Sequence, residues 1–328
     1  MIPLADIEAA ARRLKGGIHH TPMLRSTAIG DRAGVHLHLK CESMQKTGSF
    51  KARGALHKVL RLAPDERARG LCTVSAGNHA QAVAWAAQRE GLPCTVVMPE
   101  HAPQAKVDAV RGYGATIVFH ADHATLFERL EQVRAETGAT FVHPFDDPVV
   151  LAGAGTCGLE IVDDLPEVEV VIVPVGGGGL MAGVTSAIKQ RRPQTRVVAV
   201  ELAEGPGMGP ALDAGRPVPV SRPAGTLADG MTPPFVGAIP LGIAREAVDD
   251  IVTVTEADIV SALELLLTRA KLVAEGSGAA ATAALLAGHV QVRPGAVACA
   301  IVSGGNVDVE RLCAAIARRA TAEHVSAR

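Results

Sequence analysis

The residue types able to do chemistry in this chain gather around one lysine and four short polar glycine loops. Lys51 stands in Ser49-Phe50-Lys51-Ala52-Arg53-Gly54-Ala55, just after a turn at Lys46-Thr47-Gly48 and at the head of a helical pattern from Ala52 to Leu62. A lone lysine is ordinarily a solvated surface charge. At a loop-to-helix junction its amine can instead be placed for reaction.

Gly176-Gly177-Gly178-Gly179-Leu180 follows an apolar strand pattern and opens a helix. Glycines there let the backbone approach an anion closely, and the amides and positive dipole end of a helix favour phosphate. The loop lacks the GK[ST] of nucleoside-triphosphate loops. Gly177, Gly179 and Ala182 also fit a relaxed dinucleotide fingerprint, with Glu201 at the spacing of a ribose-binding acid, so this loop alone leaves a nicotinamide dehydrogenase open.

Three further loops have the same character. Ser75-Ala76-Gly77-Asn78-His79 ends one strand pattern, where Ser75 and Asn78 could cap the next helix or donate to an anion. Ser303-Gly304-Gly305-Asn306 ends another, and its serine hydroxyl could meet a ring nitrogen without imposing a charge. Glu275-Gly276-Ser277-Gly278 precedes an alanine-rich helix that Ser277 could cap. The histidines, among them His19, His20 and His57, make no metal-ligand spacing with cysteines or carboxylates, and no metal is expected.

The elements that must carry these loops alternate. The patterning predicts an amphipathic helix over Leu4–Leu14 and a strand over Val35–Lys40. Beyond the lysine loop it predicts strands at Leu71–Ser75, Cys94–Met98, Thr116–His120 and Thr140–Val142, separated by helices at His79–Glu90, Ala102–Gly112 and His123–Thr137. A second series follows: helix Val149–Asp164, strand Val170–Val175, helix Leu180–Arg191 and strand Val197–Glu201. Residues 203–240, dense in glycine and proline, read as a long surface or active-site segment. Then come strand Val252–Val254, helix Ala257–Leu272, a helix from about Ser277 to Ala287, strand Ala296–Val302 and helix Val309–Ala320. The expected fold is α/β: two domains with twisted, mostly parallel sheets covered by helices, and a site in the cleft between them. The expected division is 1–48 with 148–328 as a large cofactor-binding domain and 49–147 as a small domain inserted in it.

Composition narrows the partners. The chain of 328 residues is 48% hydrophobic but 2% aromatic, so its core must be built from alanine, valine, leucine and isoleucine. A net charge of -2 gives no electrostatic footprint for nucleic acid or an anionic membrane. A small molecule is the expected partner. Val170–Ile188 carries no charge, but Pro174 and the glycine run break it into strand, loop and helix rather than a membrane span. Six scattered cysteines without a CxxC pair, and an N-terminus without a secretory pattern, point to the cytoplasm.

In this order the motifs, with Ala228-Asp229-Gly230 among them, closely resemble the fold type II pyridoxal-phosphate enzymes, in particular the threonine dehydratase and serine racemase family. The resemblance covers nearly the whole chain. It implies that Lys51 forms the Schiff base with pyridoxal 5'-phosphate and moves the Cα proton of the substrate. It also implies that Gly176, Gly177, Gly178, Gly179 and Leu180 hold the phosphate, Asn78 the ring hydroxyl and Ser303 the pyridine nitrogen, with Phe50 near the ring face. Ser75, Ala76, Gly77 and His79 would surround the substrate carboxylate. The implied reaction is β-elimination from a β-hydroxy amino acid, L-threonine or L-serine, to a 2-oxo acid and ammonia. Serine racemases carry a serine where this chain has Ala76, which favours elimination over racemisation. Within the family a serine racemase-like enzyme or a 3-hydroxyaspartate or hydroxyectoine-pathway dehydratase is the alternative, and a homodimer or higher homo-oligomer is implied. The carboxylate that racemases use for a metal downstream of Glu201 falls near Gly207, which offers no ligand.

Overall fold

The structure is a computed structural model and describes residues 1–102, 104–122 and 125–326. In chain order its elements begin with α1 (Leu4–Leu14), β1 (Met23–Arg25), α2 (Thr27–Ala33), β2 (His36–Lys40), α3 (Lys51–Val59) and α4 (Pro64–Arg69). They continue with β3 (Leu71–Val74), α5 (Asn78–Glu90), β4 (Cys94–Pro99), α6 (Gln104–Gly112), β5 (Thr116–His120), α7 (Leu126–Thr137) and β6 (Thr140–Phe141). Next are α8 (Pro148–Asp164), β7 (Val170–Pro174), α9 (Gly179–Arg191), β8 (Arg196–Leu202), α10 (Met208–Ala214) and α11 (Ala238–Ala247). The chain closes with β9 (Asp250–Val254), α12 (Glu256–Leu265), α13 (Gly276–Leu286), β10 (Val297–Ile301) and α14 (Val309–Ser326).

The strands divide between two sheets. One has the order β1-β2-β10-β7-β8-β9, with only the β1–β2 pair antiparallel; the other, β5-β4-β3-β6, is parallel throughout. Strand periodicity of two sends alternate residues to opposite faces. In β7, Val170 and Ile172 join the core with α12 and α13, while Val171 and Val173 join the one with α8 and α9. In the smaller sheet Val96 and Met98 face α3 and α5, and Val97 faces α7. This double coverage explains why the strands read as unbroken apolar runs.

Small residues bring helices close. A Cβ on Gly54 of α3 would sit 2.7 Å from a Val150 methyl, and one on Gly153 of α8 would sit 2.7 Å from the Arg53 carbonyl. The helix that begins at Lys51 is thereby pressed onto α8.

Several expectations need correction. The single helix Ala257–Leu272 ends as α-helix at Leu265 and continues as a π turn, Leu266–Ala270, closed by Lys271 in the left-handed conformation at φ +60°. Ser277 does not cap α13: Glu275 occupies that position and Ser277 lies in the first turn. Neither Ser75 nor Asn78 caps α5 with its side chain; the cap position is Gly77, and Ser75 Oγ accepts from the Gly77 amide at 3.0 Å. The segment after residue 203 contains α10, which pattern reading missed because its cap lies on another element: the Glu201 carboxylate accepts the amides of Gly207, Met208 and Gly209 at 2.5–2.9 Å. Short β1, α2 and α4 were also unforeseen. The expected helix starts at His123 and across residue 103 lie outside the described residues. Among the described residues no helix is long and apolar enough to cross a membrane. All six cysteines are free, five of them buried.

Candidate active site

Lys51 is the first residue of α3, and its Nζ donates to the Pro144 carbonyl at 2.7 Å. The same Nζ lies 5.0 Å from the Phe50 ring centre. Burial pushes the amine down to about 8, well within reach of the neutral form a nucleophile needs. Two imidazoles stand near it. His79 is pushed down to about 3, first by burial and then by the Lys51 charge; its Nε2 bonds the Val142 carbonyl at 2.9 Å. His143 is also lowered, chiefly by burial, and its Nδ1 accepts the amides of Phe145 and Asp146. Both histidines are thus uncharged at neutral pH.

What holds α3 in place was not legible from the lysine motif. Two residues beyond Lys51, the fully buried Arg53 guanidinium makes paired bonds to Glu42 at 2.7 and 2.8 Å and to Glu160 at 2.7 and 2.8 Å. Lys40, also fully buried, completes the cluster with Glu160 at 2.7 Å and the Thr21 carbonyl at 2.8 Å. Burial acts to raise the Glu160 carboxyl, but Arg53 and Lys40 outweigh it and hold it below the usual range. Fork-to-carboxylate geometry of this kind fixes orientation as well as charge. It ties α3 to the segment after β2 and to α8.

The glycine loop joins β7 to α9. Gly178 has φ +91°, a left-handed position that glycine takes without strain. Its neighbours are excluded from carrying a side chain by contact: a Cβ on Gly176 would lie 2.5 Å from the Gly230 carbonyl, and one on Gly177 2.2 Å from the Phe145 ring. Phe145 belongs to an aromatic group. Its ring is edge-on to His143 at 4.8 Å and to Phe235 at 5.6 Å, and Phe127 and Phe141 complete the cluster. Four of the six phenylalanines of a chain poor in aromatics therefore gather here. The close spacing of Phe141, His143 and Phe145 was the available sequence signal.

Asn78 and Ser303 come to the same cleft from different sheets. Asn78 Nδ2 donates to Glu275 Oε1 at 2.6 Å, and Asn78 Oδ1 accepts from Asn306 at 2.9 Å. Glu275 is buried; burial, then the Asp229 charge, push its carboxyl up to about 7. The Ser303 hydroxyl makes one long bond, 3.3 Å, to the Ser277 carbonyl, while the Phe50 amide donates to the Ser303 carbonyl at 3.1 Å. Ser49 and Gly304 form an isolated antiparallel bridge, so the lysine loop and the serine loop are directly paired. In the 75–79 loop the Ser75 amide is bonded to the Val97 carbonyl and the Gly77 amide to the Ser75 hydroxyl, while the first turn of α5 has amides without intrahelical partners, as every helix start does. Ala76 is half-buried against the core beneath that loop.

These segments fit a phosphorylated, aldehyde-bearing ring. They offer a desolvated amine, a side-chain-free cradle at a helix N-terminus, a carboxamide and a neutral hydroxyl. Thr47 Oγ1, Ser49 Oγ, His79 Nδ1 and Ser277 Oγ, all on those segments, are buried polar atoms without a protein partner, as expected where a polar group is to be received. Among the described residues no cluster of histidine, cysteine and carboxylate side chains could hold a metal ion. Glu201 is buried, and both of its oxygens already accept from backbone amides.

A two-sheet α/β frame with a lysine at the seam and glycine loops at the strand ends defines a fold type II cofactor-dependent enzyme. The chain belongs to the family of pyridoxal-phosphate dependent enzymes, which it matches over residues 14–304. It is 45% identical to the L-threonine ammonia-lyase of Thermotoga maritima over 95% of this chain and 77% of that one. It is 42% identical to the catabolic L-threonine dehydratase of Escherichia coli over 95% of each. Among solved structures, the serine racemase of Dictyostelium discoideum superposes with a TM-score of 0.88 at 36% identity, covering 94% of this chain and 99% of that one. The nicotinamide reading is thereby set aside.

Proposed function

We propose that this chain is a pyridoxal-phosphate-dependent ammonia-lyase that dehydrates and deaminates a β-hydroxy amino acid, L-threonine and/or L-serine, releasing a 2-oxo acid and ammonia. The observation that carries the reading is the Lys51 amine, lowered by burial and held on the Pro144 carbonyl, next to Phe145, whose ring packs directly on Gly177 of the glycine loop. Relatives at 40–45% identity named for threonine support the substrate class.

The cofactor would supply an electron-withdrawing ring that weakens the Cα–H bond of an attached amino acid. Lys51 would carry its aldehyde and later hold the Cα proton at Nζ. Gly176 to Leu180 would cradle the phosphate, Asn78 would donate to the ring hydroxyl, and Phe50 would lie against the ring. Ser303 would meet the ring nitrogen with a neutral hydroxyl, keeping that nitrogen unprotonated and favouring prompt loss of the β-hydroxyl. Ser75, Ala76, Gly77 and His79 would surround the substrate carboxylate, with the donors drawn from the amides at the start of α5 rather than from the engaged amides of Ser75 and Gly77. Ala76 has no proton to give on the face opposite Lys51, so little D-serine is expected.

The same reading treats 49–147 as a small domain inserted in the larger one, and the enzyme as a cytoplasmic homo-oligomer. The parallel sheet of β3 to β6, confined to residues 71–141, supports the division. The test is a keto-acid release screen on pure holoprotein with L-threonine, L-serine and 3-hydroxyaspartate. Release of 2-oxobutanoate from L-threonine is expected; release from none of the three overturns the proposal. Appreciable D-serine from L-serine in a chiral assay would move the assignment to the racemases.

A further inference from the structure

Asn306 Nδ2 has two N–H groups, and both are used: one donates to the Thr47 carbonyl at 2.7 Å and the other to Asn78 Oδ1 at 2.9 Å. The first partner is a backbone carbonyl, which only accepts, so the amino end of Asn306 must face it. The amino end then also faces Asn78, which must answer with its oxygen. That turns Asn78 Nδ2 toward Glu275, whose carboxylate oxygen lies 2.6 Å away and accepts one of its two N–H groups. One Asn78 N–H remains, and it is a donor. The sense of the whole chain of amides follows from a single carbonyl.

The neighbourhood is shaped for Asn306. Thr47 holds left-handed backbone at φ +61°, and its carbonyl is presented to the amide from that conformation. Gly48 follows at φ +71°, and a Cβ there would overlap Asn306 Oδ1 at 2.3 Å. The Gly305 amide donates to the Gly48 carbonyl at 2.9 Å, so backbone and side chain of the same loop grip the turn that leads into Lys51. Asn306 therefore touches the lysine loop and the Asn78 loop while standing three residues from Ser303.

We propose that Asn306 is a positioning residue that sets the amide of Asn78 so that its nitrogen, not its oxygen, faces the bound cofactor. This rests on the reading of Asn78 as partner of the ring hydroxyl. A donor stabilises the ionised hydroxyl, whereas a flipped amide would set oxygen against oxygen.

The experiment measures cofactor dissociation constants of the apoproteins of wild type, Asn78→Ala, Asn306→Asp, Asn306→Ala and the two double variants, with the pH midpoint of the visible chromophore in each holoprotein. Asn306→Asp keeps the shape against Gly48 but cannot donate, so it serves where Asn306→Ala loses the fold. Asn306→Asp is expected to weaken cofactor binding tenfold or more and to move the chromophore midpoint. Combined with Asn78→Ala it should add less than about twofold beyond Asn78→Ala alone, because both act through one amide. Multiplying effects, or a loss of affinity with an unmoved chromophore midpoint, would make Asn306 merely structural and overturn the inference. A loss in Asn78→Ala with none in Asn306→Asp overturns the inference alone. Unchanged affinity in Asn78→Ala removes the ring-hydroxyl reading of Asn78 and the inference with it.

Discussion

Lys51 Nζ and the carbonyl oxygen of Pro144 are 2.7 Å apart, a contact that fastens the amine of α3 to the segment between β6 and α8. A carbonyl accepts from the amine in either protonation state, so the tether orients Lys51 while burial lowers it to about 8.

Colour formation follows from that value. Only the neutral amine attacks an aldehyde, so mixing apoprotein with pyridoxal phosphate should give a visible absorbance whose rate rises with pH through a midpoint near 8 and then levels off. Stopped-flow absorbance measures it. Lys51→Ala should give no borohydride-fixable chromophore, and a rate that is flat between pH 7 and 9 would contradict the assignment of the amine.

The same lowering makes Lys51 a destabilising residue in the apoprotein. Its unfolded value is near 10.5 and its folded value about 8, so between them the unfolded chain binds more protons and stability rises with pH. At pH 7 nearly the full cost is present, on the order of 3 kcal/mol. Lys51→Met should therefore raise the urea midpoint of the apoprotein at pH 7, with the advantage fading as pH rises from about 8 to about 10.5.

Glu275 is shifted in the opposite sense. Its folded value, raised to about 7 by burial and by Asp229, exceeds the ordinary 4.5, so the folded chain binds the extra proton and the stabilisation is lost as pH rises from about 5 to 7. Across that window the apoprotein should lose on the order of 2 kcal/mol relative to Glu275→Gln. Urea titrations of both proteins at pH 5, 6 and 7 give the slope; parallel curves would show that Glu275 titrates elsewhere.

How far the sequence led is clearest at two places. The glycine loops, the lysine and the strands around Val171 and Val97 were legible because each is local: a strand pattern, a turn and a helix start in consecutive residues. Arg53 with Glu42, Glu160 and Lys40 was not, since charged residues scattered over 120 positions carry no mark of meeting in a core. Glu201 failed as a sequence signal for the same reason. Its spacing suited a ribose acid, but the amides of residues 207 to 209 fold back onto it and use both oxygens.

The buried ion cluster can be tested for what it holds. Arg53→Met removes the direct ion-pair partner of the fully buried Glu42, and removing one member of a buried pair costs about 3–5 kcal/mol. Unfolding of that variant should begin at markedly lower urea. Arg53→Met with Glu42→Gln should recover a large part of the loss, because no uncompensated charge remains, whereas colour formation should stay slow if the cluster also fixes the direction of Lys51.

The cradle makes the most direct prediction. A methyl at Gly176 would lie 2.5 Å from the Gly230 carbonyl and 3.2 Å from Met231 Cα, both backbone atoms that cannot swing aside. The loop must shift, and a shifted loop would no longer aim its amides at the phosphate it is proposed to hold. Gly176→Ala should weaken cofactor binding tenfold or more by equilibrium titration. Gly242 in α11 is the control: nothing lies within 4 Å of a Cβ there and its backbone is helical. Gly242→Ala should leave cofactor affinity unchanged and stabilise the fold by about 0.5–1 kcal/mol. If both variants bind cofactor like the wild type, the phosphate is held elsewhere.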